Sequence, residues 1–160
     1  MNQFYITKIT NLDLLKYGGG TNIVNSYNID TLFRDYDMMY DEIFKKFQLT
    51  IDRPNDENAI KDPEMVFNYI RDLQNKIDEI FLIIRRMSKD KIKEFTKQFE
   101  KNVYIEKIYD LYHNGVIILT NLGLEEFQIN YLESYYRIIR NYFRDISRIF
   151  KKAHIIIDEE

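Results

Sequence analysis

The stretch LEEFQINYLESYYRIIRNYFRDISRIFKKA, residues 124–153, decides the fold. It contains no Gly or Pro, and at about 1.5 Å per residue it spans roughly 45 Å as a single α-helix. Leu132, Tyr135, Ile139, Tyr142, Ile146, Ile149 and Ala153 recur at alternating spacings of three and four, the period of a heptad seam. The seam is short for a free coiled coil and two of its positions are Tyr, so packing inside a helical bundle is expected. An intermolecular seam is the alternative.

Further helical faces lie upstream. Asp62-Pro63-Glu64 is a strong start signal: Asp caps free amides, Pro fits the first helical position, and Glu complements the helix dipole. Val66, Ile70, Leu73, Ile77, Ile80 and Ile84 continue that stripe. Leu32, Tyr36, Met39, Ile43 and Phe47 form an earlier one, with Asp30 as its expected cap. Residues 50–62 read as a loop. A break is expected at Met87-Ser88, with Ser88 capping a segment that carries Ile92, Phe95 and Phe99. Tyr104, Ile105, Ile108, Leu111 and Tyr112 make a further face, expected to stop at Asn114-Gly115. Val116–Leu119 reads equally as a helical turn or a short strand. At the N-terminus, residues 2–9 are rich in strand-forming types, and Gly18-Gly19-Gly20 marks a flexible connection extending to residue 29. The expected fold is therefore mainly α: a single domain over 1–160. An N-terminal strand/loop segment (1–29) with a small β-element precedes a bundle of about four or five helices (30–154) and an acidic tail (155–160).

Composition narrows the function. The 160 residues carry 23 Lys+Arg against 26 Asp+Glu, a net charge of −3, too balanced to mark the whole chain as a nucleic-acid binder. With no Cys, disulfide frameworks, Cys-ligated zinc and thiol nucleophiles are excluded. The N-terminus has no basic region followed by an apolar one, and no run approaches the roughly 20 apolar residues of a membrane span. A cytoplasmic protein that does not engage the membrane is expected. Ile, Asn, Lys, Tyr and Phe make up 77 of the 160 residues; their A/T-rich codons point to a low-GC bacterium, its phages or a large DNA virus.

The average charge hides a polarised helix. Arg137, Arg140, Arg144, Arg148 and Lys152 are spaced three, four, four and four apart, which places them on one sector opposite the heptad seam. Residues 137–152 hold six cations and one acid, a net of +5, leaving −8 for all other positions. A solvated face explains such a row. A docking face explains it too, because guanidinium forks bind carboxylate and phosphate bidentately. Asn141 lies on the same side, and Tyr136 and Phe143 flank it, so stacking on bases of RNA or DNA is an alternative use. The partner-binding candidates are Arg137, Arg140, Arg144, Arg148, Lys152, Tyr136 and Asn141. With 13 Tyr and 11 Phe, most aromatics must fill the core, but several Tyr must reach the surface, where Tyr is a favoured contact residue.

Other constellations are less specific. Arg148, five intervening residues and His154 resemble the Arg-x4–6-His motif of HEPN-type ribonucleases; the resemblance implies that these two side chains act together on a phosphodiester. The alternative places His154 at a helix C-terminus, where it favours the dipole. Glu106, Asp110 and His113 share a helix face, which reads as a polar surface or as half of a carboxylate metal site. Gly18-Gly19-Gly20-Thr21 lacks the Lys-Ser/Thr ending of a phosphate loop. Ser26, Ser88, Ser134 and Ser147 lack a nucleophile-elbow context. No metal or cofactor is implied.

Tyr142-Phe-Arg-Asp-Ile-Ser-Arg-Ile-Phe-Lys151 resembles the Tyr-Phe-Arg-x-Leu-x-x-Ile-x-Lys stretch of the putative phage abortive infection proteins. This chain has Arg140-Asn141 where those proteins usually have Gly-His. The resemblance implies a setting of conflict between bacteria and phages and gives no residue a catalytic role. The expected function is non-enzymatic protein binding, as a host defence component or as a phage-encoded, anti-CRISPR-like inhibitor of a defence nuclease. The partner would be a protein with an acidic surface, and the chain a monomer or homodimer. A HEPN-like ribonuclease using Arg148 and His154 and a nucleic-acid-binding module are the alternatives.

Overall fold

The structure, a computed structural model, describes residues 28–94 and 99–159, with side chains up to 154. Among the described residues five helices follow in order: α1 (Ile29–Asp52), α2 (Pro63–Arg86), the short α3 (Lys89–Lys93), α4 (Lys101–Asn121) and α5 (Glu126–Glu159). No strand occurs among the described residues. The strand expected over 2–9, Phe95 and residues 18–27 of the connection expected over 18–29 lie outside them, whereas Asn28 and Ile29 are the cap and first residue of α1.

The helix starts follow local chemistry. Asp62 accepts a 3.0 Å hydrogen bond from the Glu64 amide, with Pro63 in the first turn of α2. Ser88 caps α3 after the break at Met87. The cap of α1 is Asn28 rather than Asp30: its Oδ1 accepts from the Asp30 amide at 2.8 Å, and Asp30 sits inside the first turn, where its charge meets the dipole. The loop after α1 begins at residue 53, and Thr50 ties it down by accepting from the buried Ile60 amide at 2.9 Å.

The four long helices form a square in which α5 packs against α2 and α4, and α1 packs against the same two from the opposite corner. Helices α1 and α4 run in the same direction, since Phe33 meets the Tyr104 ring and Tyr40 donates to the Lys107 carbonyl at 2.6 Å. Helices α2 and α5 are likewise parallel: Arg71 meets Tyr135 and Asp78 meets Tyr142. Residues 87–100, including α3, carry the chain from α2 to α4.

Helix α4 does not stop at Asn114-Gly115. It runs on to Asn121, so Val116–Leu119 is helix. Gly115 is buried because a Cβ there would lie 2.7 Å from Leu132 Cδ2 and 3.4 Å from Val66 Cγ1. The glycine allows α4 to approach α5 closely. The true terminator is Gly123, at φ 87 in the left-handed region.

The core of α5 is rotated by roughly 35° from the expected seam, about a third of the 100° step between residues. Leu132, Ile139, Ile146 and Ala153 are buried as expected, but Phe143 and Phe150 join them, while Tyr135, Tyr142 and Ile149 are only half-buried. For the two tyrosines the physical reason is the hydroxyl: at the bundle edge Tyr135 accepts from Arg71 at 3.1 Å and Tyr142 donates to Asp78 at 2.5 Å. Phe has no polar tip to satisfy and goes inside. Phe143 therefore stacks on Tyr104 at 4.9 Å and meets Tyr36 edge-on at 5.4 Å, while Phe99 closes the cluster against Phe33 and Phe150.

Candidate protein-docking face of the last helix

Helix α5 buries one side against α2 and α4 and leaves the other exposed as far as His154. At about 100° per residue, Arg137, Arg144 and Arg148 fall within about 40° of one another, and all three are exposed. Asn141 and Lys152 are exposed beside this row. Two of the arginines are held by their own helix: Arg137 pairs with Glu133 and Arg148 with Asp145, each at 2.7 Å. Such exposed pairs contribute little stability, but they hold the guanidinium groups along the helix surface.

Arg140 departs from the row. It is half-buried and leans toward α4, its guanidinium carbon 5.3 Å from the centroid of the Tyr136 ring. Its Nε is enclosed and has no hydrogen-bond partner among the described residues. Tyr136 stacks on Tyr112 at 5.3 Å and meets Tyr109 edge-on at 5.7 Å. Burial, and next the Glu133 charge, push the Tyr112 hydroxyl above its ordinary pKa. Tyr136 thus lines one edge of the seam between α4 and α5, with Arg140 over its ring. Phe143, expected to flank the basic row, is fully buried and offers no ring to a base.

A second row was not among the sequence candidates. Phe127, Tyr131 and Ile138 are 64%, 66% and 40% exposed. At about 100° per residue they also lie within about 40° of one another, roughly 100° around the helix from the arginines and on the side facing α2. The sequence signal was available: these positions fall off the three-four seam yet carry large apolar groups.

The other constellations do not converge. Arg148 and His154 are six residues apart on one continuous helix, which places them about 120° apart around its axis. His154 is exposed within α5 and not at its end, because the helix continues to Glu159. Glu106, Asp110 and His113 are all exposed, and the His113 ring lies nearly parallel to that of Tyr109. No group of three or more His, Asp or Glu residues disposed to hold a metal ion occurs among the described residues. None of the described helices is long and apolar enough to cross a membrane. No protein-family model, curated protein or solved structure matches the chain.

Proposed function

We propose that this chain is a non-enzymatic protein-binding module that docks an acidic protein surface on the exposed side of α5. The observation that carries the reading is the pair of adjacent rows on one helix: Phe127, Tyr131 and Ile138 beside Arg137, Arg144 and Arg148, all exposed. Aromatic residues and arginine are the types enriched where proteins meet. Large apolar groups gathered on an exposed face mark interaction sites more than solvated ones. A row of arginines adds steering toward a negative partner. Its cations are strung along roughly 17 Å of helix, a spacing suited to a surface and not to a single reacting atom. The biological setting in this proposal is conflict between bacteria and phages, with the module either a host defence component or a phage-encoded inhibitor of a defence nuclease. That setting is supported by the abundance of Ile, Asn, Lys, Tyr and Phe, whose codons are A/T-rich, and by the Tyr142–Lys151 resemblance.

The test is a triple reversal, Arg137→Glu, Arg144→Glu and Arg148→Glu, compared with wild type in quantitative capture from lysates of a low-GC bacterium with and without phage. Loss of a specific, acidic captured protein is expected while the helical content stays unchanged. Capture that is unaffected by the reversal would overturn the reading. Binding of single-stranded RNA that falls steeply with salt and disappears in the reversed variant would overturn it in favour of a nucleic-acid module.

A further inference from the structure

A cleft of about 360 Å³ opens where the N-terminal halves of α2 and α5 meet the α4–α5 turn. Phe67, Leu124, Tyr131 and Tyr135 supply apolar walls, and Arg71 and Glu64 supply the charges. The volume is at the lower end for ligand sites and suits one aromatic side chain with a small polar group.

Arg71 is positioned for recognition. Its guanidinium carbon lies 5.7 Å from the Tyr135 ring centroid, and one Nη donates to the Tyr135 hydroxyl at 3.1 Å. The other Nη donates to Asn68 Oδ1 at 3.2 Å. These contacts fix the plane of the fork and use two of the five N–H donors that a guanidinium carries. Arg71 is exposed, and no acidic partner for it is found among the described residues. Glu64, the other charge of the lining, sits in the first turn of α2, where the helix dipole already stabilises it. A carboxylate entering the cleft would thus be drawn to Arg71 and repelled from Glu64, so the cleft has a direction.

We infer that this cleft receives an aromatic side chain carrying a neighbouring carboxylate, presented by the acidic protein partner, with Arg71 as the carboxylate contact. The inference rests on the docking reading of α5, because Tyr131 belongs to both the exposed row and the cleft wall. It names the anchor chemistry that the partner supplies.

The probe is 3-phenylpropionate, with its uncharged amide as the control, titrated into the full chain and followed by amide and Arg side-chain NMR shifts. Saturable shifts around Arg71 and Tyr131 are expected for the acid, with the amide binding less tightly. Arg71→Gln should weaken the acid by about fivefold, the size of a good exposed ion pair, and Glu64→Gln should tighten it by about twofold. Both positions are exposed, and the amide spectrum of each variant checks that it stays folded. Equal affinity for acid and amide, or no change on Arg71→Gln, would overturn the inference. Shifts that depend on protein concentration without probe would also overturn it, by placing a second copy in the cleft. The probe has no surface to meet Arg137, Arg144 and Arg148, so the two readings separate. If acid binding persists in the triple-reversal variant while capture of a partner is unaffected by that reversal, the α5 reading falls and the carboxylate site stands.

Discussion

Gly115→Ala sets two familiar effects against each other. In an exposed helix interior the replacement would stabilise by about 1 kcal/mol, because Gly has more backbone freedom to lose. Here the added methyl would come 2.7 Å from Leu132 Cδ2, with Val66 Cγ1 at 3.4 Å and Phe47 Cε2 at 3.5 Å. Leu132, Val66 and Phe47 are all fully buried, so the Leu132 methyl cannot swing into solvent, and overpacking of this kind costs about 1–3 kcal/mol. The net expectation is destabilisation by about 1 kcal/mol. Leu132→Ala removes the clashing atom and by itself costs about 2–5 kcal/mol. In that background the alanine at 115 has room, and the double variant should be more stable than Leu132→Ala alone by up to about 1 kcal/mol. Urea unfolding of the four proteins in the cycle, followed by far-UV circular dichroism, gives the coupling. If Gly115→Ala stabilises the otherwise unchanged chain and the cycle shows no coupling to Leu132, the close approach of α4 and α5 at this position is wrong.

Other expectations follow from the rotated core and the edge tyrosines. Phe143→Ala should cost about 3–5 kcal/mol, against about 0.5 kcal/mol or less for Asn141→Ala on the exposed side; similar costs from urea titration would return Phe143 to the surface. Tyr142 has its hydroxyl pushed up to about 12 from an ordinary 10.0 by burial and then by its hydrogen bond to Asp78 and that carboxylate's charge. Its contribution to stability is fully present below pH 10 and is lost as pH rises through about 12. Tyr36, Tyr40 and Tyr104 are shifted the same way, foremost by burial. Urea midpoints should therefore fall as the solution is made alkaline, and Tyr142→Phe should fall less steeply; an unchanged slope would show that the Asp78 contact does not hold that proton.

Where local chemistry decides, the sequence is readable. Asp62-Pro63-Glu64 starts α2 and Ser88 starts α3 because caps act within one turn. The long final helix follows from thirty residues without a breaker. The differences are tertiary. Asn114-Gly115 has the composition of a terminator, yet the need for this glycine lies in Leu132, seventeen positions away in the chain. The seam through Tyr135 and Tyr142 satisfies the heptad period, and so does the neighbouring one through Phe143 and Phe150; only Arg71 and Asp78 on α2 give the tyrosines a reason to stay at the edge. The candidate site was legible in part for the same reason. The arginine row needs only helical period, whereas Arg140 is drawn away by Tyr136 and the seam with α4. The cleft is assembled from α2, the α4–α5 turn and α5, and no single stretch reports it.

Crosslinking from two positions in living cells compares the exposed side of α5 with a surface that has no part in the proposal. A photoreactive residue is placed at Ile138, in the apolar row and next in sequence to Arg137, or at Glu42, exposed on α1. A discrete crosslinked protein is expected from position 138 that is absent from position 42 and disappears when Arg137, Arg144 and Arg148 are reversed to Glu. The same product from both positions, or a product from position 42 alone, would contradict the docking reading of α5.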